Sequence, residues 1–321
     1  MLLLRPSDVR EAIESDIRGF LDALKSALIE KSSGKGWYPS RPSTNLPRGW
    51  IGFMPAYSEE LGAVAVKIVG VFPENPSKGL PTVPASVLLM DAETGIPLSL
   101  MDGTVITEYR TGGASALSAE VMARVDSESL LIIGAGTQGR SHSRLIPEVR
   151  PIKRVFVRDI DRARAESLAN WLRKRGLDAE VVTENRNADI IVTVTTSKKP
   201  VLFGRDLARG THVCAVGAYT SDARELDDTA ITSFDRIVVD TADALQAGDL
   251  KIPLEEGLIS RDRVVGELGE VLAGLKIGRI SLEEITLYKS VGTSALDVAA
   301  AFFVYKRAEE LGLGREVDLS P

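Results

Sequence analysis

The feature that most constrains this chain is a glycine-rich turn between an apolar run and a helical pattern. Leu130-Leu131-Ile132-Ile133 leads into Gly134-Ala135-Gly136-Thr137-Gln138-Gly139, and Asp159 stands twenty residues beyond Gly139, at the end of the next apolar run. A strand, a Gly-x-Gly-x-x-Gly turn, a helix and a downstream carboxylate together cradle a dinucleotide pyrophosphate. The first glycine permits the tight turn, the second lets backbone approach the phosphates, and the third lets the helix lie against the sheet. The helix N-terminus adds unpaired N–H groups and a partial positive charge. Gly134, Gly136, Thr137, Gln138, Gly139 and Asp159 are therefore the expected cofactor-binding set. Asp159 would hold both ribose hydroxyls, which favours NAD, while Arg158 beside it leaves NADP possible.

The surrounding rhythm agrees with that reading. Apolar runs at 130–133, 154–157, 179–182, 190–194, 212–216 and 236–240 alternate with helical patterns, one of which ends at Gly176. Near-continuous apolar strands suit a parallel sheet covered on both faces, and the alternation predicts a doubly wound α/β domain. The first part of the chain reads differently. Ser7-Asp8 looks like the N-cap of a single helix reaching about Lys31, followed by a loop rich in Ser, Gly and Pro. Short β-type runs at 51–54, 63–69, 86–91 and 97–102 follow, the last two joined by the turn Asp91-Ala92-Glu93-Thr94-Gly95. The pattern predicts a helix on a mostly antiparallel sheet, then a helix over 108–125. A helix from Thr293 to Leu311 returns to this part. The expected organisation is a smaller α+β substrate-binding and dimerisation domain (1–115 and 296–321) and a Rossmann doubly wound domain (116–295).

Composition narrows the class. Of 321 residues, 44% are hydrophobic and 26% charged, an ordinary globular balance. The net charge is −6 with acids and bases interspersed, so no basic stripe invites nucleic acid. No apolar run is long enough to span a bilayer, and no basic segment followed by an apolar core reads as a signal peptide. One cysteine leaves no intramolecular disulfide and two histidines disfavour a metal site, so the expectation is a cytoplasmic protein without a metal.

Three cations fall near turn residues in or after the first sheet: Arg41, Lys67 and Arg110. Lys67 interrupts Val64-Ala65-Val66-Lys67-Ile68-Val69, where an amine would be partly desolvated and its pKa lowered, as acid/base chemistry requires. Strand alternation puts it on the face of Ala65 and Val69. The alternative is an edge-strand lysine that snorkels to water. Cys214 reads as a core residue, His142 as a surface residue, and Glu225 and Asp227 as turn and cap residues. Asp297, one turn into the last helix, reads either as close to the site or as a solvated or capping carboxylate.

The motifs Phe53-Met54-Pro55-Ala56-Tyr57, Val66-Lys67-Ile68-Val69, Gly79-Leu80-Pro81-Thr82-Val83, Met101-Asp102-Gly103-Thr104 and Tyr109-Arg110-Thr111-Gly112 resemble the ornithine cyclodeaminase/mu-crystallin family. So do the glycine turn, Ala215-Val216-Gly217-Ala218, Arg224-Glu225-Leu226-Asp227 and Ser290-Val291-Gly292-Thr293, in order along nearly the whole chain. The pattern is most similar to the archaeal-type alanine dehydrogenases of that family. The resemblance implies that Arg41, Lys67 and Arg110 surround a substrate carboxylate beside the nicotinamide, with Lys67 as acid/base. It also implies that Thr82, Arg110, Thr111, Thr193, Val216, Gly217, Ala218, Ser290 and Gly292 line the cofactor, and that the chain forms a homodimer through the first domain. Family cyclodeaminases carry an aspartate where this chain has Tyr219, and a glutamate where it has Gly52. Both groups suited to a second amine are absent, and Asp222 is a weak substitute. The expectation is an NAD(P)-dependent oxidoreductase acting on the CH–NH2 or C=N bond of a small amino or imino acid. The alternatives are an ornithine cyclodeaminase, a cyclic ketimine or pyrroline-2-carboxylate reductase, and a crystallin-like nucleotide-dependent binding protein.

Overall fold

The computed structural model describes residues 1–318. The chain divides into two compact units, one made of Met1–Arg110 with the chain from Thr293 onward, the other of Thr111–Gly292. In order, the elements are β1 Leu2–Leu4, α1 Pro6–Glu14, α2 Ile17–Ser32, β2 Ser43–Leu46, β3 Gly49–Ser58, β4 Ala63–Val71, β5 Ala85–Asp91, β6 Pro97–Asp102 and α3 Gly103–Met122. Then come β7 Ser129–Ile133, α4 Thr137–Leu145, β8 Arg154–Arg158, α5 Arg162–Arg173, β9 Asp178–Val181, β10 Ile190–Thr193, β11 His212–Ala215 and α6 Asp228–Ser233. The chain closes with β12 Arg236–Val239, α7 Gly248–Glu255, β13 Val264–Glu267, α8 Leu268–Leu272, β14 Thr286–Lys289, α9 Ser294–Leu311 and β15 Arg315–Glu316.

In the first unit the described strands form one sheet in the order β15-β1-β6-β5-β4-β3-β2. Only the β1–β6 pair among them is parallel. Helix α9 lies on β3 and β4, with α1 and α2 packed against it. Phe20 of α2 meets Phe303 of α9 edge-on, with ring centroids 5.5 Å apart. The expected single N-terminal helix is two. Its cap is Arg5 rather than Ser7-Asp8, and Asp8 instead reaches back from the third helical position to the Arg5 amide at 2.9 Å. The chain breaks at Ser15-Asp16, where the Asp16 carboxylate caps the second helix by accepting from Gly19 N at 2.9 Å. Helix α3 also starts earlier than its apolar pattern, because the Asp102 carboxylate accepts from Val105 N at 2.7 Å.

In the second unit the strands run β13-β12-β14-β11-β10-β7-β8-β9, every pair parallel. This is a Rossmann-type doubly wound sheet, so the α/β class with a second, mostly antiparallel sheet is what the chain adopts. The six strands expected from apolar runs are present, and β13 and β14 join them. The order reverses between β7 and β10, whose adjacent carboxyl ends form the crevice where such sheets bind ligands.

The Phe20–Phe303 pair anchors α2 to α9, and both flank the face from which Lys67 projects. Phe20→Ala is expected to lower unfolding stability by about 3–5 kcal/mol, measured by urea denaturation followed by circular dichroism; a loss below ~1 kcal/mol would contradict this account of the packing.

Candidate active site

The first unit gathers its charges around Lys67. Lys67 lies on β4, an inner strand between β3 and β5, not on an edge. Its register partners Met54 and Val87 are buried with it on the face beneath α9. The ammonium, 0% exposed, donates to Asp297 Oδ1 at 2.6 Å, and Arg110 Nε lies 3.1 Å from the same oxygen. Asp297 is therefore a buried member of the cluster, and its other oxygen, Oδ2, is buried without a hydrogen-bond partner. Burial is the main cause that lowers the Lys67 pKa, and the Arg110 charge is next; Asp297 opposes both and Arg41 adds to the lowering, leaving the amine at about 7. Arg41 stacks over the Trp50 ring, its guanidinium carbon 5.5 Å from the centroid. Two cationic side chains thus share one carboxylate, the charge of Arg41 also bears on the lysine, and such a cluster attracts an anion. A carboxylate suits it, because guanidinium forks match carboxylate geometry.

The second unit builds the glycine turn at the β7/β10 reversal. Gly134 has φ +110° and a Cβ there would fall 2.6 Å from the Val194 carbonyl oxygen. A Cβ on Gly139 would strike the Gly134 carbonyl oxygen, so α4 docks on the turn only with glycine at that position. At Gly136, by contrast, a Cβ would meet nothing within 4 Å. The turn is closed toward the protein at Gly134 and Gly139 and open at Gly136, and Thr137 and Gln138 form the first turn of α4, whose backbone N–H groups have no partner within the helix. Asp159 accepts from Ala135 N at 2.6 Å and from Asp161 N at 2.8 Å, which sets its carboxylate beside the turn. Arg158 turns to Asn185 Oδ1 (2.8 Å) and the Val201 carbonyl (3.1 Å). These residues fit a dinucleotide whose ribose hydroxyls reach Asp159.

Buried carboxylates that the sequence reading missed hold the strand ends beside this turn. Glu225 sits in a bend before α6, as expected of a turn residue, but it is fully buried; its carboxylate accepts from Thr193 Oγ1 (2.8 Å), Thr195 N and Oγ1 (both 2.7 Å) and Gly217 N (2.8 Å). Burial first, and then the Asp249 charge, raise its pKa. Asp249 receives the Glu225 amide at 2.7 Å and the Lys289 ammonium at 2.8 Å, and Lys289 also donates to the Ala218 carbonyl at 2.5 Å. Val216 N bonds the Thr193 carbonyl at 3.0 Å. Asp240 Oδ2 accepts from Ser290 Oγ, Val291 N and Gly292 N at 2.7, 2.9 and 2.6 Å. Thr193 and Ser290 thus donate their hydroxyl protons to protein carboxylates.

Other expected residues divide by unit. Thr82 lies half-buried in the first unit, its carbonyl accepting from Phe72 N at 2.9 Å. Thr111 is buried on α3, beside Gly112, whose missing Cβ lets α3 approach Ser141 of α4. His142 is buried rather than on the surface: its ring bonds Ser115 Oγ at 2.9 Å and the Gln138 carbonyl at 2.8 Å. Asp227 caps α6 and Cys214 is a core residue, as read from sequence. Asp222 is exposed and pairs with Lys198 at 2.9 Å. Among the described residues no group of His, Cys, Asp or Glu is placed to hold a metal ion, and no helix is long and apolar enough to cross a membrane.

Comparison with known proteins identifies the class that this fold and site define. The sequence profile of the ornithine cyclodeaminase/mu-crystallin family matches residues 2–312, and the chain belongs to that family. The chain is 36% identical to Delta(1)-pyrroline-2-carboxylate reductase from Bacillus cereus, covering 91% of this chain and 92% of that protein. The structure of Thermococcus litoralis Delta(1)-pyrroline-2-carboxylate reductase, in complex with NADH and L-proline, superposes with a TM-score of 0.95 at 39% identity over 99% of this chain and 100% of the other. An archaeal alanine dehydrogenase dimer with bound NAD superposes with a TM-score of 0.93 at 34% identity, over 100% and 99% of the two chains.

The asymmetry among the glycines gives a direct test. Gly136→Val is expected to fold like the parent and weaken NADH binding at least tenfold, by calorimetry. Gly139→Val is expected to destabilise the fold by about 2 kcal/mol or more through overpacking, read by thermal melting. Equal effects of the two substitutions would contradict the geometry.

Proposed function

We propose that this chain is an NAD-dependent oxidoreductase that interconverts a small imino acid and the corresponding amino acid, with the cyclic imine Δ1-pyrroline-2-carboxylate as its leading substrate. The observation that carries this reading is the Lys67–Asp297–Arg110 cluster, a near-neutral buried amine beside fixed positive charge. Relatives and solved neighbours that act on pyrroline-2-carboxylate, one of them bound to NADH and L-proline, support the substrate and the cofactor. An alanine dehydrogenase-like activity is the second reading, supported by a whole-length neighbour of that name. The arrangement of Asp159 and Arg158 supports NAD over NADP.

NADH, held at the glycine turn with its ribose at Asp159, would supply the hydride for the imine carbon. Arg110 and Arg41 hold the substrate carboxylate through charge-assisted hydrogen bonds. The Lys67 ammonium protonates the imine nitrogen in the reductive direction, and the neutral amine takes that proton back in the oxidative one. Asp297 orients the amine and keeps its pKa from falling further under burial and Arg110. Around this cluster the apolar sheet face excludes water, which strengthens each charge interaction. A cyclodeaminase reading is disfavoured by Gly52 and Tyr219, which offer a second amine no carboxylate.

We further propose a homodimer formed through the outer sheet face of the first unit, where Phe53, Ile68 and Leu100 are exposed, and a cytoplasmic location, which suits the lone thiol of Cys214.

The assay is NADH oxidation with Δ1-pyrroline-2-carboxylate, against pyruvate plus ammonia. Lys67→Met is expected to lower kcat/KM by about 10²–10⁴-fold with NADH affinity unchanged. Because reduction needs the protonated amine, its kcat/KM should fall as pH rises through about 7, and the oxidative rate should rise over the same range. Asp297→Asn removes the charge that raises the Lys67 pKa, so both limbs should move to lower pH. Ammonia and proline formed from ornithine without net NADH would sink the reading, as would wild-type kcat/KM in Lys67→Met.

A further inference from the structure

Trp50 has no part in the chemistry above, yet its placement is specific. Trp50 and Gly52 are two residues apart on β3 and so share a face. The register pairs Gly52 with Val69 and Met54 with Lys67, which makes this the face that carries the lysine. The indole leans along the strand over Gly52: a Cβ at that position would lie 2.9 Å from Cζ2 and 3.0 Å from Cζ3, and closer still to Cη2. Any side chain at position 52 would push the ring away. The same ring stacks with the Arg41 guanidinium, 5.5 Å from its centroid. A half-buried aromatic is therefore wedged between a glycine and an arginine, on the sheet face of the charge cluster.

Two physical consequences follow. An indole loses little conformational entropy for the area that it presents, and stacking restricts the flexible arginine. A ligand side chain bearing a cation would meet a ring already engaged by Arg41, in a field set by three cations and one carboxylate. An uncharged ring or methyl group brings no charge against that field and can pack on the indole.

We infer that Trp50 is a specificity-determining residue: seated on Gly52, its indole places Arg41 and forms an apolar wall that admits compact, uncharged α-imino or α-amino acid side chains and rejects a distal ammonium. This rests on the functional reading above, and the experiment separates the two. Dissociation constants of pyrrole-2-carboxylate, an unreactive cyclic carboxylate, and of L-ornithine would be measured by calorimetry at saturating NADH, beside turnover of Δ1-pyrroline-2-carboxylate. The wild type is expected to prefer the cyclic carboxylate by at least a hundredfold. Trp50→Ala should weaken that ligand at least tenfold and narrow the preference at least tenfold, while Trp50→Phe retains most of both. Gly52→Ala keeps the indole but displaces it, so it should narrow the preference in the same direction; it carries the test if Trp50→Ala does not fold. NADH affinity and melting temperature should stay at wild-type values in each folded variant. An unchanged preference in Trp50→Ala or Gly52→Ala, or no binding of the cyclic carboxylate by wild type, overturns the inference. A shifted preference without turnover of any imino acid would instead overturn the functional reading and leave the wall standing.

Discussion

A lysine ammonium buried beneath a helix in an apolar sheet is the constraint on which the candidate chemistry depends. Removing an ammonium from water costs several kcal/mol even after the protein relaxes, so Lys67 must either lose its proton or find compensating charge. It does some of each. Asp297 supplies a carboxylate at 2.6 Å, but Arg110 draws on the same oxygen, and the shared charge only partly offsets burial. The result is an amine near neutrality in its acid/base equilibrium, within a cluster that still favours an incoming anion. Lys289 shows the other outcome. It too is fully buried, but among the described residues its carboxylate, Asp249, serves no second cation, and the other Asp249 oxygen takes the Glu225 and Leu226 amides; with the Ala218 carbonyl this ties β14 to α7 and to the loop after β11. Identical side chains at similar depth thus divide into a reactive group and a structural tie according to how many cations each carboxylate must serve.

In the second unit the same device, a buried carboxylate accepting several backbone and hydroxyl donors, shapes the ligand edge of the sheet. Parallel strands end in loops whose amides have no ladder partner, and buried polar groups of this kind need one. Glu225 and Asp240 provide it, with four donors on the first, from the end of β10 to Gly217, and three on the second, at least fifty residues along the chain. The glycine turn is held differently, by absence of side chains at Gly134 and Gly139. Only Gly136 among the three faces open space, which separates the glycine proposed to face the ligand from the two that the fold needs.

What the sequence discloses and what it conceals follow from the range of the interactions involved. The glycine turn, the buried parallel strands and the inward face of Lys67 are set by neighbours in the chain, and alternation and turn chemistry reveal them. Asp297 meets Lys67 across 230 residues of sequence, so its helical position left open whether it was a solvated cap or a buried partner. Glu225 reads only as a turn residue because its partners Thr193 and Thr195, at and just past the end of β10, are at least thirty residues away in the chain. β14 escaped notice because Thr286 and Lys289 make a central strand look polar at both ends; the compensating Asp249 is far away in the chain. His142 follows an exposed turn, and only the small residues of α3, Gly112 and Ser115, create the space that buries it. The break at Ser15-Asp16 was legible in principle, since an Asp three residues before Gly19 is a capping signal.

Burial first, and then the Arg110 charge beside the shared carboxylate, hold the Lys67 amine at about 7. Reductive ¹³C-methylation of the lysines, with Lys67 assigned by its absence in Lys67→Met, allows its ionisation to be followed by NMR from pH 5 to 11. The account predicts a resonance that titrates at about 7 and moves lower in Asp297→Asn. Titration at the ordinary lysine value of about 10.4 would contradict it.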